Sequence, residues 1–233
     1  MPDPKAVNEF FSDIAPGYDR ANRVMSSGVD VLWRNYLARR VNATQPKQLL
    51  DLATGSGDVA FTLAKKVRSA ESIVGLDFCQ PMLDMAEIKK PKKKSASIIQ
   101  FRQGDCLDLP FEDDSFDSIT ISFGLRNLAD RHKGLTEMLR VLRSGGSLFV
   151  LEFTQPDKWL RGLYYFYLKH VIPTISGAIT GNENAYEYLG SSIEQFPTKA
   201  EVAKELENAG FTSVSHKGLT FSIAAVHSGV KAG

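Results

Sequence analysis

The sequence predicts an α/β fold: one domain built on a mostly parallel, seven-stranded sheet with helices on both faces. Three observations carry this. Residues 48–153 alternate short apolar, β-branched runs with helical patterns, as βαβ units do. A glycine-rich turn, "LLDLATGSGD", joins the first run to the helix that follows it. The chain then finishes in an amphipathic helix and two adjacent strands, read as an antiparallel pair.

The elements follow in order. Strands are read at "KQLLDLA", "SIVGLD", "SIIQFRQG", "FDSITISF" and "GSLFVLEF". Helices are read over Asp58–Val67, Gln80–Ile88 and Arg131–Leu142, the last stopped by "RSGGS" with a glycine in the left-handed region. The run "KKPKKK" (89–94) reads as a solvated loop rather than a binding patch. Residues 6–41 are helical, with Phe10, Phe11, Ile14, Tyr18, Trp33, Tyr36 and Leu37 on apolar faces and a break at "APGYD". Residues 159–181 are dense in aromatics and interrupted by Pro173. "TKAEVAKELENAGF" is a helix that Gly210 ends, and "SVSHKGL" and "FSIAAVH" are the closing strands. The single domain (1–233) therefore divides into an N-terminal helical lid (1–45), a cofactor-binding core (46–155), a substrate-side aromatic helical insert (156–197) and the C-terminal helix and strand pair (198–233).

Bulk properties narrow the function. The chain has 233 residues, 43% hydrophobic and 24% charged, with a formal net charge of +1. That balance gives no electrostatic footprint for nucleic acid. Cys79 and Cys106 form no CxxC or Cys/His cluster, so neither a disulfide scaffold nor a metal site is expected. The N-terminus has no apolar signal core, and no run approaches the roughly 20 apolar residues that span a bilayer. A cytoplasmic location is expected, and a homodimer is left open.

The glycine turn is the most informative stretch. A strand delivers Asp51, the chain turns through Gly55, Ser56 and Gly57, and a helix begins. Glycine allows close approach of a ligand, and the exposed N–H groups of a helix start favour an acceptor or carboxylate. The next strand ends at Asp77, where a carboxylate can accept hydrogen bonds from both hydroxyls of a ribose. "GSGDVA" also satisfies the dinucleotide pattern G-x-G-x-x-G/A, so a nicotinamide cofactor and S-adenosyl-L-methionine both fit. Three features favour the second. Asp51 would repel a pyrophosphate but can help hold an ammonium group, directly or through water. Asp105 after the third strand is placed like an adenine acceptor, with Cys106 beside it. The final helix and strand pair are the usual finish of class I methyltransferases. Plainer roles stand beside these: Asp58 as a first-turn acid, Asp105 as a turn cap, and Cys106 as a small packed side chain.

The sequence at this point resembles the ubiquinone/menaquinone biosynthesis C-methyltransferases, the UbiE family. The likeness rests on "FFSDIAPGYDRANRVMSSGVDVLWR", "LLDLATGSGD", "FDSITISFGLRNLADRHKGLTEMLRVLRSGGSLFVLEFTQP" and "YEYLGSSIEQFPTKAEVAKELENAGF", and it runs from about Phe10 to His227. It implies carbon methylation of a prenylated quinol ring, demethylmenaquinol or its benzoquinol counterpart, with cofactor contacts at Ser56, Asp77, Asp105, Cys106 and Ser122. One departure is that Thr54 stands where glycine is common, which makes the backbone angle there the point to check.

The chemistry needs a stabiliser for phenolate charge, a proton acceptor and a dry slot for the ring. Arg126, just past the fourth strand, suits the first role, since an arginine is too weak an acid to serve as a base. Asn127 would orient the water or ring oxygen. The plainer reading is that Arg126 pairs with an acid such as Asp130 and caps the next helix. His170 in the aromatic insert is a candidate acceptor, with Tyr18, Asp19 and Tyr188 behind it. The insert combines an apolar face with Arg161, Lys169 and His170, which suits peripheral membrane contact or a lid packed on the core. Two rival functions remain: a nicotinamide-dependent oxidoreductase, although the Tyr-x-x-x-Lys pair after the central strands, Tyr165 and Lys169, lies inside the aromatic insert, and a non-catalytic scaffold of the quinone pathway.

Overall fold

The computed structural model describes residue 12, residues 18–171, residue 190 and residues 192–233. Seven strands form one sheet in the order β3-β2-β1-β4-β5-β7-β6. They are β1 (Gln48–Leu52), β2 (Ser72–Asp77), β3 (Ile99–Gln103), β4 (Phe116–Ser122), β5 (Leu142–Phe153), β6 (Phe211–Leu219) and β7 (Ala224–Lys231). The first five run parallel, and β7 is antiparallel to both β5 and β6. The helices are α1 (Tyr18–Met25), α2 (Val29–Ala43), α3 (Asp58–Lys66), α4 (Gln80–Lys89), α5 (Arg131–Val141), α6 (Lys158–Phe166) and α7 (Lys199–Asn208).

Strand alternation splits the core in two. Leu50, Leu52, Ile119, Ile121, Leu148 and Val150 face α5 and α7, meeting Leu135, Met138, Val202 and Leu206. Leu49, Ile73, Ile99, Phe149 and Leu151 face the other way, onto Trp33, Leu37 and Val41 of α2 and Val59, Ala60 and Leu63 of α3. A parallel sheet covered on both sides is what near-continuous apolar strands require. The helix starts are also set locally. Asp130 caps α5 by accepting from the Lys133 N–H, and Thr198 and Glu201 form a reciprocal capping box on α7.

The expected elements stand within a few residues, with four differences. "RSGGS" is not the stop of α5: that helix ends at Val141 with Leu142 extended, and the glycines lie within β5, where Gly145 has φ 77°. Tyr18 and Asp19 of the expected break open α1, and α1 and α2 part at Ser26–Gly28 instead. The last strand begins at Ala224, not 221, because Thr220, Phe221 and Ser222 take positive φ values of 47°, 54° and 63° in a tight turn. The lysine run is not a loop but two short 3₁₀ turns, Lys90–Lys92 and Lys94–Ile98. Its solvated character holds only in part, since Lys93 Nζ lies 5.1 Å from the Phe61 ring centre.

The order of the strands positions the site. From β1 the chain steps outward to β2 and β3, then returns across to β4 and β5. The reversal falls between β1 and β4, and a crevice opens at the carboxyl ends of strands at such a point.

Candidate active site

The turn after β1 carries its left-handed angles on Ala53 (φ 48°), Gly55 (55°) and Gly57 (83°). Thr54 is not among them, so the β-branched residue bears no strain there. Its hydroxyl donates instead to Asp51 Oδ2 at 2.6 Å. Gly57 is required twice over, by its φ and because a Cβ would lie 2.8 Å from Phe101.

Asp51 is fully buried, and its other oxygen accepts from the Thr120 hydroxyl on β4 at 2.6 Å, directly across the β1–β4 register. Burial pushes its pKa up to about 6, against the pull of the two threonines. Each oxygen thus accepts one threonine hydroxyl, and acceptor positions remain on both for the expected ammonium contact, directly or through water.

Asp77 is the better placed ligand group. One oxygen accepts from the Gly55 N–H at 2.7 Å and the other from the Cys79 N–H at 2.9 Å. Burial raises its pKa while those N–H groups hold it down. A carboxylate has about four acceptor positions, so lone pairs remain on both oxygens for a ribose. Asp105, exposed, accepts from the Leu107 N–H at 2.8 Å, so it does cap a turn. Cys106 beside it is buried, and burial with the Asp77 charge pushes its thiol up to about 12. It is a packing group, not a nucleophile.

The hydroxyl of Ser56 donates to Asp19 Oδ1 of α1 at 2.5 Å. Lys89 Nζ bonds both Asp19 at 2.7 Å and Asp58 at 2.9 Å, and Arg34 lies 3.3 Å from Asp58. This network ties the N-terminal helices to the glycine turn. Asp58 is thereby occupied as an ion-pair partner.

The turn after β4 differs in character. Phe123 has φ 56°, and a Cβ on Gly124 would lie 2.4 Å from the Ala53 Cβ, so the two turns touch at this glycine. Arg126 follows, 9% exposed. Its Nη1 donates to Glu152 Oε1 at 2.7 Å and to the Phe123 carbonyl at 2.6 Å, and its guanidinium lies 5.4 Å from the Phe153 ring centre. The partner is thus Glu152 on β5, not Asp130, which caps α5. Two buried atoms here have no partner among the described residues: Ser122 Oγ and Arg126 Nε. Asn127 Nδ2 donates weakly to the Phe123 carbonyl at 3.4 Å. Trp33, Phe123 and Phe153 form an aromatic wall, with ring centres 4.7–6.1 Å apart.

In the insert, His170 and Tyr164 differ in burial. His170 is exposed on a π-helical turn (Tyr167–Val171), its ring 4.8 Å from Phe166. Tyr164 is buried; burial raises its phenol pKa and the Arg126 charge pulls it back. Tyr188, Phe10, Phe11, Ile14 and Pro173 lie outside the described residues, as does the side chain of Tyr18. Sequence reasoning missed Glu152 and Tyr164. An acid inside the apolar run "LFVLEF" was the available signal, because a buried carboxylate needs a partner.

The residues fit S-adenosylmethionine on the structure's own terms: a carboxylate with spare acceptor positions, and a buried hydroxyl at Ser122 that is unpartnered among the described residues. Similarity to known proteins agrees. The ubiE/COQ5 methyltransferase family model matches residues 2–231. The chain is 41% identical over 226 residues to the ubiquinone/menaquinone biosynthesis C-methyltransferase UbiE of Geotalea daltonii, covering 97% of this chain and 96% of that one. It is 45% identical over 220 residues to the demethylmenaquinone methyltransferase of Thermus thermophilus, covering 94% and 98%. Among solved structures it resembles the cyclase SpnF (TM-score 0.74, 15% identity, 100% and 97% covered). It also resembles a putative S-adenosylmethionine-dependent methyltransferase of Methanococcus maripaludis (TM-score 0.67, 20% identity, 96% and 94% covered). These two share the fold. The nicotinamide and scaffold alternatives find no support in the matches. The chain belongs to the ubiE/COQ5 methyltransferase family, and it is an S-adenosylmethionine-dependent methyltransferase.

Proposed function

We propose that this enzyme methylates a ring carbon of a prenylated quinol in menaquinone or ubiquinone biosynthesis, and that Arg126 stabilises the phenolate that makes the carbon nucleophilic. The observation that carries the second part is the guanidinium itself: buried, anchored on one side, with Nε unpartnered among the described residues at the carboxyl end of β4. A buried donor without an acceptor is costly, and a developing oxyanion would satisfy it.

Asp77 holds the ribose, and Gly55 and Gly57 shape the turn around the cofactor. Asp105, Cys106 and Ser122 complete the contacts, the hydroxyl of Ser122 being buried and without a partner among the described residues. S-adenosylmethionine, when bound, supplies an electrophilic methyl group on a sulfonium. The chain's own residues do the rest. Arg126 lowers the cost of losing the quinol proton, and Asn127 orients the water or ring oxygen beside it. Trp33, Phe123 and Phe153 wall the site with apolar surface, which strengthens each charge interaction there. His170, in contact with solvent, accepts the proton from the site.

The prenyl tail resides in lipid, and among the described residues no helix is long and apolar enough to cross a membrane. We assign the contact to α6. Trp159, Leu163 and Phe166 recur on one helical face and are 70%, 68% and 58% exposed, and Phe221 packs 5.2 Å from Trp159. Tyr165 is not part of that face, since its hydroxyl donates to Gln155. The protein then acts from the cytoplasm, peripherally on the membrane surface.

The direct test is incubation with S-adenosylmethionine and short-tailed naphthoquinols or benzoquinols under reducing conditions, read by mass. One added methyl on ring carbon supports the assignment; no product from either ring class removes it. Sedimentation with vesicles should weaken in folded Trp159→Ser/Phe166→Ser, and unchanged sedimentation would move the contact elsewhere.

A further inference from the structure

Glu152 is a carboxylate in a strand of apolar residues, with no exposed surface. The β4–β5 register pairs Ser122 with Leu151, so Glu152 sits one residue beyond, beside the start of the arginine turn. Its bonds are unusual in their targets. Oε1 accepts from Arg126 Nη1 at 2.7 Å and from the Phe153 N–H at 2.9 Å. Oε2 accepts from the backbone N–H of Arg126 at 3.2 Å. One side chain therefore grips both the guanidinium and the main chain of the same residue.

A fold does not need an ion pair at this place. Burying two charges costs several kcal/mol of desolvation, and apolar residues of similar volume commonly serve as well or better. What the pair achieves is orientation. With Nη1 committed to Glu152 and to the Phe123 carbonyl, and Phe153 against the guanidinium, the planar group has little freedom left. Nε is buried and has no partner among the described residues.

We propose that Glu152 is a positioning residue for methyl transfer: it fixes the Arg126 guanidinium so that its charge is held in place for the quinol oxygen. The pairing also keeps the site close to neutral, which admits an uncharged quinol. This rests on the assignment of Arg126 to phenolate stabilisation, and its test separates the two.

The experiment is a cycle of Arg126→Lys, Glu152→Gln and the double variant, read by single-turnover methylation at saturating cofactor, cofactor affinity and thermal melting. Glu152→Gln keeps the shape but places an amide NH₂ against one of the three donors. It should slow methyl transfer about 10- to 100-fold, the scale of a misplaced catalytic group, with cofactor affinity unchanged. Because Glu152 acts through Arg126, the double variant should be no slower than the slower single variant. A normal rate in folded Glu152→Gln, or losses that multiply in the double variant, would overturn the inference. Arg126→Lys at full speed would instead remove the role of Arg126 itself. If Glu152→Gln does not fold, Glu152→Asp keeps the charge and withdraws the carboxylate by one methylene, and the same outcomes apply.

Discussion

The two turns that meet at Gly124 and Ala53 are built on opposite plans. The turn after β1 is acidic and made of backbone. Asp51 before it and Asp77 from the end of β2 beside it are engaged by threonine hydroxyls and N–H groups, with no ion pair to either among the described residues. The turn after β4 is cationic and walled by aromatics, and its one charge is held by a buried acid. The difference teaches how the crevice can take two unlike ligands. A charged, hydroxyl-rich cofactor suits the first side. An apolar ring that becomes anionic only as it reacts suits the second.

The comparison breaks most sharply at Arg126. If its charge is used in the transition state, Arg126→Ala should lower the single-turnover rate about 10²–10³-fold, by analogy with loss of one oxyanion donor. Cofactor affinity should barely move, since the loss falls on the transition state. Arg126→Lys should recover only part, because an ammonium cannot reproduce the planar fork. A folded Arg126→Ala at near-normal speed, with only a lower melting temperature, would make the turn structural.

Asp77 tests the other side. Asp77→Ala removes the acceptors proposed for the ribose and should cost roughly 1.5–3 kcal/mol of cofactor binding, the scale of hydrogen bonds to charged groups. The chemical step at saturating cofactor should be affected far less. Calorimetry giving unchanged affinity in a folded variant would refute the role, and a large loss in the chemical step alone would erase the contrast between the turns.

How much of this the sequence discloses follows the same division. The acidic turn is legible because its parts are contiguous or follow at fixed strand-and-helix spacing: Gly55, Ser56, Gly57, then Asp77 at the end of the next strand. The basic turn is only half legible. Arg126 can be read from "SFGLRNL", but its partner cannot be read by proximity. Asp130 is four residues away and caps a helix, whereas Glu152 is brought close by strand pairing across the sheet. Register between parallel strands is set by tertiary packing, which no local pattern encodes. Thr54 shows the converse case: the substitution looked like a backbone problem and is a hydrogen bond.

A smaller effect follows from Asp51. Its folded pKa is raised to about 6, chiefly by burial, so its ionisation opposes folding. The contribution to stability is greatest below the ordinary aspartate range and is lost as pH rises toward 6. Cofactor binding has the opposite sign, because a cation nearby favours the ionised form. Affinity for S-adenosylmethionine should therefore be flat above pH 6 and fall below it, by at most about tenfold per pH unit for one proton. Asp51→Asn should abolish that slope. A slope that survives the substitution would assign the titration to another group.

The smallest expected effect is at Asp58, which separates a carboxylate near the cofactor from one that binds it. Asp58 stands in the first turn of α3, immediately after Gly57. Burial pushes its pKa up, but Lys89, Arg34 and Arg23 outweigh that and hold it below the usual range. A depressed pKa means stability that is present above the ordinary aspartate value and lost as pH falls through the folded one. The pairs are partly exposed, so their worth is discounted for solvent: Asp58→Asn should cost about 1 kcal/mol or less at neutral pH. In a chain of this size that is a melting shift of about 2–4 °C. Cofactor affinity should stay near that of the unaltered protein, in contrast to Asp77→Ala. The reason is geometric, since the Asp58 oxygens already face three cations while those of Asp77 face two N–H groups with acceptor positions to spare. A melt and a calorimetric titration on the same sample decide the point. An affinity loss as large as that of Asp77→Ala would make Asp58 a ligand and extend the cofactor site along the start of α3.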